Sequence, residues 1–179
     1  MPARARVGPF LAQTMGRTRI VGSALAAALT LAPSLARSDC WDEAAARYGL
    51  PVTLLQAIAQ VESGLDPKAR SAPNKDASHD IGLMQINSRW RPVLATYGIR
   101  EADLYDACTN LHVGAWVLAH NIARLGWDWD AIGAYNAGCQ RLAREACRDL
   151  RTRYAWRVWR AWQRLLPASD SSTATVRSR

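Results

Sequence analysis

Pro51-Val52-Thr53-Leu54-Leu55-Gln56-Ala57-Ile58-Ala59-Gln60-Val61-Glu62-Ser63-Gly64 says more about the fold of this chain than any other stretch. Proline opens a helix readily, and Leu54, Leu55, Ile58 and Val61 then recur at three- and four-residue steps on one face until Gly64 stops it. A helix with that face must lie against other elements. It carries Glu62 in its last turn, beside Ala59 and Val61. A lone glutamate near a helix end is ordinarily solvated or ion-paired, so Glu62 acquires meaning only from its company.

Outward from this helix the chain stays helical. Trp41 to Tyr48 reads as a short alanine-rich helix ended by Gly49. Cys108 to Leu125 is the longest clean pattern, with Leu111, Ala115, Leu118, Ile122 and Leu125 on one side and Gly126 as its cap. Trp129 to Tyr135 is another short helix. Leu65 to Asp80 is polar and broken by Pro67, Pro73 and Asn74, a loop or short hairpin region. The expected fold class is therefore mainly α, a single domain with at most a small β-hairpin. A last helix spans about Arg151 to Leu166. Trp156, Val158, Trp159, Trp162, Leu165 and Leu166 share one side of it, and Arg153, Arg157, Arg160 and Arg164 the other. Such a stripe can dock on sugars, a membrane surface or a partner; the expectation is a closing helix that buries its tryptophans in the core.

The chain's ends read differently. Arg4, Arg6, Arg17 and Arg19 precede a small and apolar run from Ile20 to Ala32, Pro33 breaks it, and Ser34-Leu35-Ala36 offers a small-x-small site. That is the pattern of a secretory signal over residues 1–36, too short to span a bilayer, which takes about 20 apolar residues. The polar Arg37-Ser38-Asp39 before Cys40 does not suit a lipid anchor. Cleavage after Ala36 leaves 143 residues, enough for one domain. Four of 23 basic residues and none of 15 acids are lost, leaving 19 against 15 and a net charge of +4. That excess is too modest to identify a partner, and an exported chain rarely meets nucleic acid. Residues 167–179 read as a disordered tail. Cys40, Cys108, Cys139 and Cys147 all follow the expected cleavage point, and an even count in an exported chain suggests disulfides in one of three pairings. Their spacing, and that of His79, His112 and His120, does not suit a metal site, and no cofactor is indicated.

Two further stretches accompany Glu62-Ser63. Gly82-Leu83-Met84-Gln85-Ile86-Asn87 combines a glycine that lets backbone pass close to a ligand, an adaptable methionine, and an amide that donates and accepts. Ala134-Tyr135-Asn136-Ala137-Gly138 pairs small residues with two hydrogen-bonding side chains. In this order the three stretches resemble the lytic transglycosylase (SLT) branch of the lysozyme-like, goose-lysozyme type fold, over roughly Cys40 to Trp162. The resemblance implies a domain over residues 37–166 that cleaves bacterial peptidoglycan, with Glu62 as its catalytic group. It also implies that Met84 and Gln85 hold the sugar, that Asn87 supports the turn, and that Tyr135 lies beside Glu62 and orients it. Asn136 would touch substrate or hold its loop; Ser63 would bond substrate or cap its helix.

Breaking a glycosidic bond needs a proton for the departing oxygen, and a carboxyl in apolar surroundings keeps one near neutral pH. Most glycosidases use two carboxyls. Enzymes of the resembled type manage with one, because the C6 hydroxyl of the muramic sugar attacks and a 1,6-anhydro ring results. Asp66, Asp76 and Asp80 are the candidates for a second carboxylate, Asp80 foremost, and would make the chain a hydrolytic muramidase. A peptidoglycan-binding scaffold without chemistry is the other alternative. Cys40-Trp41, Asp80-Ile81 and the run Cys108 to Trp116 bring the likeness closer to small enzymes that accompany secretion, conjugation and pilus machines. The implied partners are glycan strands and such an apparatus, in the periplasm. The favoured disulfides are Cys40–Cys108 and Cys139–Cys147.

Overall fold

The computed structural model describes residues 35–139 and 142–166. All but the last two residues of the expected leader lie outside that range, as does the expected tail. Among the described residues six α-helices surround one small hairpin. The helices are α1 (Leu35–Tyr48), α2 (Val52–Ser63), α3 (Arg91–Ala95), α4 (Ala107–Leu125), α5 (Trp129–Asn136) and α6 (Arg144–Gln163). Strands β1 (Asp80–Ile81) and β2 (Ile86–Asn87) pair antiparallel, Asp80 opposite Asn87 and Ile81 opposite Ile86. The mainly helical class and the small hairpin are as expected.

Helix α2 runs from Pro51 to a Gly64 cap in the left-handed region at φ 66°, a conformation glycine adopts without penalty. Leu54, Leu55 and Ile58 are fully buried, which contributes about 2 kcal/mol each. Helix α4 packs on α1 and α5, and α6 closes over α2 and α5. Leu111 and Leu118 of α4, Ile132 of α5 and Val158 of α6 complete one core with the α2 residues. Aspartates start two of these helices: Asp106 accepts from the Thr109 amide and Asp128 from the Ala131 amide, each at 2.8 Å.

Both favoured disulfides are present, with Cα–Cα distances of 5.7 Å for Cys40–Cys108 and 5.4 Å for Cys139–Cys147. The first fastens α1 to α4 across 68 residues and the second holds the first turn of α6. In the chain-entropy picture the longer loop is worth about 4 kcal/mol. His112 lies within 4.8 Å of the first pair, but two sulfurs bonded to each other offer no thiolate to a metal.

Three helix expectations need correction. Helix α1 starts at Leu35, six residues before Trp41, because no helix breaker stands between Pro33 and Gly49. Helix α6 starts at Arg144 and ends at Gln163; its polar first turns are held by the second disulfide and by Arg151, which meets Asp130 at 2.7 Å. Nor does α6 bury its tryptophans. Its inward strip is Tyr154, Ala155, Val158 and Ala161, whereas Trp156 and Trp159 are 55% and 37% exposed. Only Trp162 turns partly inward, donating its indole N–H to Thr53 Oγ1 at 2.8 Å.

Candidate active site

A cleft of about 990 Å³ opens between the hairpin and the α2–α5 side of the molecule, with Glu62, Asp80, Gln85, Asn87, Tyr135 and Asn136 on its walls. Glu62 reaches it from the last turn of α2. Two features of that position oppose a negative charge: the surrounding core removes water, and the helix C-terminus is the negative end of its dipole. Burial pushes the Glu62 carboxyl up from 4.5 to about 7. A hydrogen bond from Tyr154 and the Arg157 guanidinium pull it down, and Asp80 adds a smaller upward push. Near neutral pH the group is thus about half protonated, able to give a proton and to take one back.

Tyr154 is the partner of Glu62 that the sequence motifs do not include. Its hydroxyl donates to Glu62 Oε1 at 2.5 Å across 92 residues of sequence. Burial first, and then the Glu62 charge, push its phenol well above the ordinary value, so it remains a donor. Its ring stacks on Tyr135, centroids 6.4 Å apart, and Arg157 lies over it at 5.3 Å. Tyr135 does stand in this cluster, but its hydroxyl donates to the Met84 carbonyl at 2.9 Å. The bond that orients Glu62 therefore comes from Tyr154, not Tyr135.

The hairpin is held from beneath by Asn110 of α4, a buried amide that ties the turn to the segment before α4. Its Nδ2 donates to the carbonyls of Ile81 (2.8 Å) and Leu104 (2.7 Å), and its Oδ1 accepts from the Met84 amide at 2.7 Å. Gly82 sits at φ 75°, where an added Cβ would lie 2.3 Å from Asn110 Nδ2 and 2.5 Å from the Leu104 oxygen. Met84 is not among the cleft-lining residues, so it does not hold the sugar as the resemblance implied. It is fully buried and packs into the space left by Gly114, whose added Cβ would meet its side chain at 2.7 Å. Its part is to anchor the turn.

Gln85 stands at φ 48°, unusual for a residue with a side chain, and its amide donates to the Gly82 carbonyl at 2.9 Å. Its exposed edge faces the cleft. Ser63 donates to the Leu83 carbonyl at 2.7 Å and to Ala59 at 3.3 Å, fixing α2 to the hairpin instead of reaching into the cleft. Asn87 caps the turn after β2 by accepting from the Arg89 amide at 3.0 Å, and donates to Asp80 Oδ1 at 2.8 Å. Asn136 is exposed at the end of α5 on the cleft wall.

Of the three candidate second carboxylates, Asp66 lies outside the cleft lining and accepts from the Lys68 amide. Asp76 lines the cleft but is bound to Ser78 and ion-paired with Arg89. Asp80 also lines it; besides Asn87, its second oxygen accepts from Asn74 (3.3 Å) and Ser71 (3.4 Å). That arrangement makes Asp80 the brace of the loop preceding the hairpin.

The family comparison covers the cleft residues and ends one residue before Tyr154. The family model described as "Transglycosylase SLT domain" matches residues 39–153. Invasion protein IagB of Salmonella typhimurium is 40% identical over 136 residues, 75% of this chain and 82% of its own. Protein IpgF of Shigella flexneri is 35% identical over 149 residues, 83% of this chain and 95% of its own. X polypeptide of Escherichia coli is 35% identical over 149 residues, covering 79% and 86%.

Proposed function

Since this chain belongs to the transglycosylase SLT domain family, whose fold is lysozyme-like, we propose that it cleaves the β-1,4 bond between N-acetylmuramic acid and N-acetylglucosamine in peptidoglycan without consuming water. The observation that carries the reading is Glu62, held near neutrality in the cleft by burial and aimed by Tyr154. Protonated Glu62 gives its proton to the glycosidic oxygen as the bond from C1 breaks. The acetamido group of the muramic sugar supports the resulting positive carbon. The C6 hydroxyl then attacks C1, and its proton goes to the Glu62 carboxylate. The acid is regenerated and the product carries a 1,6-anhydro ring. One group suffices because its proton affinity lies midway between the two tasks.

Asp80 supports the second reading, hydrolysis, because it lines the same cleft. The three side-chain donors on its oxygens weigh against it, since both oxygens are already engaged in bracing the loop before the hairpin. Solubilisation of dye-labelled cell walls tests catalysis against a binding scaffold. Wild type releases dye and Glu62→Gln does not; a wild-type protein that binds walls without releasing dye would make this a scaffold.

The proposal extends to the setting. Residues 1–36 direct export to the periplasm, and the cut opens the wall locally for an envelope-spanning secretion, conjugation or pilus machine, for which a covalent mesh is an obstacle. The likeness to a protein named for invasion supports that setting. Fractionation of cells making the tagged full chain tests the location: a processed periplasmic form is expected, and an unprocessed cytoplasmic one would contradict it.

A further inference from the structure

We infer that the outer face of α6 is a docking surface for anionic phospholipid headgroups, one that leaves the cleft free. Trp156 and Trp159 stand on this face with their rings in edge contact, 5.1 Å between centroids, yet 55% and 37% exposed. Most large aromatic rings on a folded chain are largely covered, so two adjacent open indoles are unusual.

The charges beside the rings choose the occupant. From Thr152 to Gln163 the helix contains Arg153, Arg157 and Arg160 and no acid; its acids, Glu145 and Asp149, share the outer face but lie about 10 Å or more along the axis from Trp156. Arg157 is engaged over Tyr154, while Arg153 and Arg160 are exposed and, at about 100° per residue, lie within about 60° of Trp156, not opposite it as the sequence stripe implied. Indole rings favour the headgroup depth of a bilayer, and arginines flanking them meet phosphates there. Among the described residues no helix is long and apolar enough to cross a membrane, so the contact is at the surface. At about 100° per residue, Trp156 lies on the far side of α6 from Tyr154. A chain resting on lipid through this face therefore keeps Glu62 and its cleft turned away.

The test uses the processed chain recovered from the periplasm, without residues 1–36 and with both disulfides formed, co-sedimented with vesicles of phosphatidylethanolamine and phosphatidylglycerol, or of phosphatidylcholine alone, with tryptophan emission read in parallel. Binding to the anionic vesicles with a blue shift is expected, roughly tenfold or more above phosphatidylcholine. Trp156→Ala with Trp159→Ala should weaken it by about tenfold or more while leaving circular dichroism and wall solubilisation at wild-type levels. Arg153→Gln with Arg160→Gln should lower anionic binding by roughly 30-fold. Glu62→Gln should bind vesicles like wild type, so a failure of glycan cleavage leaves this claim standing. Equal binding to both vesicle types, undiminished binding by the tryptophan double variant, or no vesicle binding with the face captured only by a soluble protein would each overturn it.

Discussion

Replacing Glu62 by glutamine should stabilise this protein increasingly as the pH rises from 4.5 to about 7. The native carboxyl holds its proton up to about pH 7, whereas the ordinary value is 4.5. Between those two values the native state binds more protons than the unfolded chain, so stability falls as pH rises. The stabilising form is fully present below 4.5 and is lost as pH climbs through the native value. At 1.36 kcal/mol per pH unit, the interval corresponds to about 3 kcal/mol. Glutamine has no proton to lose, and its amide oxygen still accepts from Tyr154. Wild type and Glu62→Gln should therefore differ little near about pH 4 and diverge until the variant leads by about 3 kcal/mol above about pH 8, roughly 10 °C in Tm. Thermal and urea unfolding of both proteins across this range, disulfides intact, provides the comparison. A pH-independent difference, or a variant that is less stable in alkali, would refute the argument that burial sets the state of Glu62.

Tyr154→Phe removes a hydrogen bond that favours the carboxylate, so the alkaline limb of the pH–rate profile should move upward while the maximal rate falls about 10- to 100-fold; a limb that stays put or moves down would show that Tyr154 does not act on Glu62. Gly82→Ala should cost more than about 3 kcal/mol, because the new Cβ has no room against Asn110 and the Leu104 carbonyl. Gly49→Ala, also at positive φ but with nothing within 4 Å, should cost only about 1 kcal/mol; denaturation midpoints that rank these two the other way would contradict the packing described. Asp80→Asn should slow wall solubilisation by less than about tenfold and leave the product chemistry unchanged, and complete loss of activity would make Asp80 a partner in the reaction.

What the sequence made legible follows from locality. Helices α2, α4 and α5 are readable almost to the residue, because their apolar steps and their Pro51, Gly64 and Gly126 boundaries are local signals. The start of α6 is not, since Arg144 to Leu150 is polar and is held by a disulfide and an ion pair that only the folded chain provides. The direction of Met84 is equally non-local. Inside a four-residue turn no periodicity chooses a side, and the choice is made by the missing side chain of Gly114. Tyr154 lies in a helix whose tryptophans attract attention to the wrong face; it emerges once the inward strip is drawn through Ala155, Val158 and Ala161. Asn110 did carry a signal, a polar residue beside Leu111 and on the buried side of α4, and buried amides of that kind are seldom idle.

The account stands or falls on one group giving and recovering a single proton, and the mass of the products reads that directly. Mass spectrometry of purified glycan strands digested by wild type should find muramic ends lighter by one water, and digestion by Glu62→Gln should yield none. Reducing muramic ends from the wild type, or anhydro ends from the variant, would contradict it.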